Sequence, residues 1–314
     1  MVWRLTNIHA WSLLCLWTVA CSGDVANTPV AATFPKASQS ALAPAGTWPA
    51  WERDVFHRAA TNTLVNTDGQ VRWQLPLGAA AVGSPVVATD GTILVVTQTA
   101  LVAVRADGTE RWRLTLDASG TRTTPVLADD GSVFVADRTR ARKVLLSNGA
   151  PVWNVALPCP AQHALSLLAT AVLVPTTCGL RALNPANGVL LWSFGGAMDE
   201  VSSPAQFSNG ALVLTDATGT ITSLTAAGAL RWSTPLGLEL SAATVLQDGR
   251  VATLGVDGQV YIFDAAGNLE SVFSAVTDLC GGATRSSAVS QALDGSLRVL
   301  GCDGFPFGGS VVVA

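Results

Sequence analysis

A glycine followed four residues later by tryptophan occurs five times in this chain, at Gly69/Trp73, Gly108/Trp112, Gly149/Trp153, Gly188/Trp192 and Gly228/Trp232. A sixth glycine, Gly267, carries Ser271 where the tryptophan would stand. The steps between the glycines are 39, 41, 39, 40 and 39 residues. A period near 40 residues means a series of small units, none of which can bury its apolar face alone. Helical arrays and β-propellers share that period.

The segments between the marks separate the two. Ser84 to Ala88 precedes Asp90-Gly91; then come Ile93 to Thr97, Leu101 to Arg105, Asp107-Gly108 and Glu110 to Leu116. These are four strand-length apolar runs divided by turn residues, with no helical period. Asp130-Gly131, Asn209-Gly210, Asp248-Gly249 and Asp294-Gly295 mark the first hairpin of other units, and Asn148-Gly149 and Asn187-Gly188 the third. Such pairs tolerate positive φ and predict tight hairpins. The expected fold is all-β: a six-bladed β-propeller of four-stranded blades.

The chain ends add a prediction. The last unit has three strands, Ser287 to Ala292, Ser296 to Gly301 and Ser310 to Ala314, whereas Gln70 to Leu75 is a fourth strand with no preceding three. Pairing the N-terminal strand with the C-terminal strands closes the ring and removes its open edges. Trp73, Trp112, Trp153, Trp192 and Trp232 then lie on outermost strands, where an indole can wedge one blade against the next while its N–H finds a carbonyl. A stacking platform for sugar or nucleotide is the alternative, disfavoured by one registered copy per unit. Ser271 predicts a less well filled interface beside the fifth blade.

Only 13% of residues are charged, net charge is −4, and no Lys/Arg run exists, which excludes a nucleic-acid-binding stripe. The longest internal apolar stretch, Leu165 to Pro175, reaches about half of the roughly 20 residues of a spanning helix. Residues 1–20 read as a signal peptide, with Arg4 before a short apolar run. Residues 21–47, rich in Ala, Pro, Ser and Thr, read as a flexible tether, and 48–314 as the propeller. Thr18-Val19-Ala20-Cys21 resembles the lipobox of bacterial lipoproteins, which implies lipidation of Cys21; simple cleavage after Ala20 is the alternative. Four further cysteines lie beyond the leader and tether. Cys159 and Cys280 precede the first strand of the third and sixth units, and Cys178 and Cys302 follow the second, so all four loops reach one face. The expected disulfides are Cys159–Cys178 and Cys280–Cys302, with free buried thiols as the alternative.

Leu180 to Trp192 (LRALNPANGVLLW), Leu101 to Trp112 (LVAVRADGTERW) and the opening segment Trp48 to His57 resemble the PQQ-like (quinoprotein-like, BamB-like) propeller repeat. The resemblance implies the fold. It leaves function open, because such propellers serve as dehydrogenases, assembly scaffolds and sensors. Quinoprotein dehydrogenases commonly use an adjacent Cys-Cys pair and a calcium site; no two cysteines are adjacent here, and no ligand set matches. Only His9, His57 and His163 exist, and no zinc-type spacing occurs. No catalytic, metal-binding or cofactor-binding residue is therefore assigned.

The cysteine-bearing face carries the longer loops, with Arg122, Asp137, Arg138, Arg140, His163, Met198, Asp199, Glu200, Asp303, Phe305 and Phe307. The opposite face is expected to show mostly two-residue turns. Loops on a rigid scaffold carry function more often than turns, so the first face is the candidate partner surface. A solvated rim, with the phenylalanines covering a disulfide, is the bland alternative. The reading is a monomeric, non-catalytic outer-membrane lipoprotein, facing periplasm or cell surface, that scaffolds a protein partner. The alternatives are a quinoprotein-like oxidoreductase with a degenerate site and a surface sensor or carbohydrate-binding module.

Overall fold

The computed structural model describes residues 71–116, 122–195, 201–274, 289–291, 295–301 and 309–313. Among these there is no helix. Five antiparallel four-stranded sheets follow one another along the chain, spanning 86–115 (sheet I), 126–156 (II), 166–194 (III), 205–235 (IV) and 244–274 (V). A three-stranded sheet (VI) follows, built from Ser290–Gln291, Leu297–Gly301 and Gly309–Val313. Strand order within every sheet is chain order. Sheet I shows the plan: Val86–Val87, Ile93–Val96, Ala100–Val104 and Glu110–Thr115.

The hairpins form where the Asp-Gly and Asn-Gly pairs stand, but as three-residue loops rather than two, or four-residue loops at Asn148-Gly149 and Asn187-Gly188. Ala88 N donates to Thr92 O at 2.9 Å and Gly91 N to Ala88 O at 3.0 Å, which encloses Thr89-Asp90-Gly91. The acidic or amide side chain causes the extra residue. Its oxygen accepts the N–H two positions on, as Asp90 does from Thr92, Asp107 from Thr109 and Asn187 from Val189. Glycine follows in the left-handed region that this loop type requires.

The core lies between sheets, because each sheet is apolar on both faces. Leu94, Val96, Leu101 and Ala103 of sheet I meet Val133, Val135 and Val144 of sheet II. Phe134, Ala136 and Ala141 on the other face of II meet Val172, Val174 and Leu183 of III. The same layering joins III to IV, IV to V, and V to Val289 and Val299 of VI. Fully buried middle strands read as continuous apolar runs for this reason. This is the packing of propeller blades.

On the remaining face of sheet I, Leu75 and Leu77 cover Ala100, Val102 and Val104. The expected strand from Gln70 to Leu75 is not among the strands of the described residues, which begin at Val86–Val87. Trp73 nevertheless takes the position anticipated for it, as shown below. No helix among the described residues is long and apolar enough to cross a membrane.

Candidate functional site

Two girdles tie neighbouring sheets together and leave the loops of one face to be positioned. The outer girdle is made by the tryptophans. The indole N–H of Trp73 donates to Ala106 O at 3.0 Å, Trp112 to Leu146 O at 2.7 Å, Trp153 to Pro185 O and Trp232 to Ala265 O, both at 3.0 Å. Each ring lies over the glycine of the next unit. A Cβ would fall 2.5 Å from the Trp73 ring at Gly108, 2.8 Å from Trp112 at Gly149, 2.9 Å from Trp153 at Gly188, 2.5 Å from Trp192 at Gly228 and 2.4 Å from Trp232 at Gly267. The repeated glycine thus serves the tryptophan of the unit before it. A register slip beside each outer strand recurs at the same place, after Ala103, Lys143, Ala182, Ser223 and Ile262. Such bulges re-aim a side chain, here the indole paired opposite. Trp112 is nearly buried, but Trp73 is 39% exposed and the others are half-buried. Ser271, with no ring to offer, is exposed.

The inner girdle consists of hydroxyls at or beside the innermost strands, or at the end of the strand next to one. Ser84 N donates to Thr124 Oγ1 at 3.0 Å, Ala164 N to Ser203 Oγ at 2.8 Å, Ser166 Oγ to Pro204 O at 3.0 Å and Thr215 Oγ1 to Ser241 O at 3.0 Å. Thr244 Oγ1 donates to Val289 O. Small hydroxyl residues fit where backbones converge and satisfy otherwise buried peptide groups.

Between the girdles, the second hairpin turns and the segments linking consecutive sheets lie side by side. Around sheets II and III the segment 157–161 acts as a strap. Leu157 N donates to Thr139 O of the sheet II turn at 2.7 Å, and Thr177 N of the sheet III turn donates to Pro160 O at 3.0 Å. The Cys159–Cys178 disulfide fastens it, with Cα atoms 6.0 Å apart. Past the strap, Gln162–Ala164 pairs in parallel with Arg122–Thr124, which sets Gln162 opposite Arg122 and His163 opposite Thr123. His163 sits at φ 60°, the left-handed region, where a residue with a side chain is uncommon.

The structure therefore brings together the backbones of Arg122 and His163, the 137–140 turn and the first disulfide. Arg138 and Arg140 are exposed, with Arg140 Nη1 donating to Asn154 Oδ1 at 3.3 Å. Asp137 is not a surface contact. It is fully buried, accepts from the Thr139 and Arg140 amides, and pairs with Arg142 at 2.5 Å. Cys21, Asp199, Glu200, Cys280, Cys302, Asp303, Phe305 and Phe307 lie outside the described residues.

Two arginines went unnoticed in the sequence, Arg142 and Arg181. Both occupy the third strand of their sheet, opposite the residue that follows the tryptophan, Asn154 and Ser193 respectively. The available signal was a cation inside an apolar run at the same place in two consecutive units. On sheet V the equivalent position is Tyr261, whose hydroxyl donates to Asp257 Oδ2 at 2.6 Å. Burial, and then the Asp257 carboxylate, push the tyrosine up to about 12. Among the described residues no three His, Cys, Asp or Glu side chains converge to hold a metal ion.

This repeat of docked tryptophans can be set beside known proteins. Residues 58–193, and again 177–313, match the family profile described as outer membrane protein assembly factor BamB. The chain belongs to that family. No curated protein matches it in sequence. Among solved structures, BamB from Moraxella catarrhalis is 17% identical, with a TM-score of 0.51 over 78% of this chain and 87% of that one. Quinohemoprotein alcohol dehydrogenase from Comamonas testosteroni is 13% identical, with a TM-score of 0.67 over 84% of this BamB-family chain and 58% of the dehydrogenase. The C-terminal WD40 domain of Sif2 is 17% identical, with a TM-score of 0.61 over 74% of this chain and 69% of that one. These likenesses establish a shared β-propeller fold and no more.

Proposed function

We propose that this BamB-family chain is a closed six-bladed propeller, anchored in the cell envelope through a lipid on Cys21, that binds another protein and catalyses no reaction. The binding surface is the face carrying Arg122, Arg138, Arg140 and His163. The strap across sheets II and III carries this reading. It is a rigidly fastened loop beside exposed arginines and a strained histidine, on a scaffold whose opposite face offers mainly short turns. Closure is supported by Trp73. It docks on Gly108 as every outer-strand tryptophan docks on the next unit, so its segment belongs to the blade before sheet I. On this reading, that blade is sheet VI, which has three strands of its own.

The dehydrogenase reading draws on the fold of its neighbours. A quinone site of that kind requires a calcium ion held by convergent oxygen donors. Adding pyrroloquinoline quinone with calcium is expected to leave absorbance and melting temperature unchanged; a saturable shift would favour the oxidoreductase instead. For the binding surface, the full chain is cross-linked in envelope preparations. The wild type and a control on the opposite face, Asp107→Lys, should yield the same discrete adduct, and Arg138→Glu/Arg140→Glu should lose it. Retention of the adduct by the double variant removes this face from the proposal. Labelling with palmitate should mark the wild type and spare Cys21→Ser.

A further inference from the structure

Arg142 and Arg181 occupy the same register in neighbouring sheets, yet their turns offer them different partners. In sheet II the turn supplies a carboxylate, and Arg142 pairs with Asp137. In sheet III it supplies a sulfur: Arg181 Nη2 donates to Cys178 Sγ at 3.7 Å. Arg181 forms no ion pair among the described residues, and its buried Nε has no acceptor. Arg181 as a whole is half-buried, and a cation even partly withdrawn from water is better placed beside an anion. The sulfur beside it becomes an anion in one circumstance, when the disulfide is opened.

We propose that the Cys159–Cys178 bridge is a thiol-responsive clasp, opened at Cys159 with Cys178 departing as a thiolate held by Arg181. Access and charge both set this direction. Cys178 is 6% exposed, whereas Cys159 on the strap is partly open to solvent. The attacking thiolate of a dithiol forms a bond to Cys159 Sγ. The S–S bond breaks and its electron pair goes to Cys178 Sγ, beside the guanidinium and the Thr176 hydroxyl at 3.6 Å. The second thiol of the reagent then displaces Cys159. The bridge gains two electrons and the dithiol loses two. Exchange is faster when the leaving sulfur is the better-stabilised thiolate. With the bridge open, the strap loses its covalent tie to the sheet III turn and is held by the backbone bonds at Leu157 and Thr177 and by the packing of Leu157 and Ala161. This chemistry stands whether or not the same face binds a partner.

The test uses the full oxidised chain with glutathione, quenched early and mapped by peptide mass spectrometry. The adduct is expected on Cys159 with Cys178 free; an adduct on Cys178, or equally on both, overturns the direction. Arg181→Met should slow reduction by dithiothreitol about threefold or more, since the exchange rate follows only part of a loss of thiolate stabilisation. Arg181→Lys should restore most of the rate. Equal rates in all three proteins overturn the role of the cation. Should Arg181→Met fold poorly, Cys159→Ser gives an independent reading. Its Cys178 should alkylate with an apparent pKa below the ordinary 8.5 or so of a free thiol; a value at or above that overturns the proposal. Hydrogen exchange at the Leu157 and Thr177 amides should accelerate on reduction while Val133 stays protected. Unchanged exchange there overturns the strap release.

Discussion

The ring of Trp232 rests on the bare α-carbon of Gly267 in the next unit, so closely that a Cβ there would sit 2.4 Å from Cδ2. The same glycine has φ of 88°, which L side chains rarely adopt. One residue meets two demands, a left-handed turn and a seat for an indole, and each alone would favour glycine. Gly267→Ala should therefore cost about 3 kcal/mol or more, adding backbone strain to displacement of the ring. Gly249→Ala meets only the conformational demand, since φ is 86° and nothing lies within 4 Å of its Cβ position. Chemical denaturation of the two variants should separate the terms, with Gly267→Ala the less stable; equal midpoints would deny the indole any part in the choice of glycine.

Trp73 lies far from the last sheet in sequence but, on the closed-ring reading, shares its blade. Half-burial of an indole contributes about 2–3 kcal/mol at 25 cal/mol per Å². Trp73→Ala should lower the unfolding free energy by that order. It should also speed hydrogen exchange of the Val311 and Val313 amides at the other end of the chain. Exchange confined to sheet I would mean that the chain ends do not share a blade.

Tyr261 is the protein's one tyrosine, so its ultraviolet titration is free of overlap. The native phenol should ionise near 12 rather than 10. Because the folded state raises this pKa, its contribution to stability is complete below pH 10 and is lost as pH climbs from 10 toward 12. Asp257→Asn removes the carboxylate's share but leaves burial, so the titration should move down without reaching the free value. A native titration near 10 would mean that the Asp257–Tyr261 contact is absent in solution.

Asp137 and Arg142 form a buried pair, at 0% and 5% exposure of their side chains. Asp137→Asn removes the carboxylate of this buried pair and should cost about 3–5 kcal/mol. Asp90→Asn, removing an exposed partner of Arg111, should cost under about 1 kcal/mol. Similar melting temperatures for the two variants would contradict the difference in burial.

The repeating unit, its four strands and its turn positions were legible because they depend on local chemistry that recurs. Asp90-Gly91 and Asp107-Gly108 bend the chain by their own side chains and φ preferences, whatever surrounds them. The Cys159–Cys178 pairing was legible because strands that alternate in direction deliver both loops to one face. The three-residue form of the turns was not, since Asp-Gly suits two loop lengths and the choice follows the side-chain hydrogen bond actually made. Nor was the packing of 71–77, because Trp73, Leu75 and Leu77 reach sheet I through side chains from outside its four strands.

What the amino-acid order determined by itself was the blade, because hairpins and two-faced apolar strands are set by neighbours within a few positions. What the tertiary structure alone decided was who meets whom between blades. It put each glycine beneath the preceding unit's indole and drew His163 beside Thr123. Those meetings arise from stacking whole sheets face to face, and contacts between residues so far apart in the chain leave no mark on the local pattern of either.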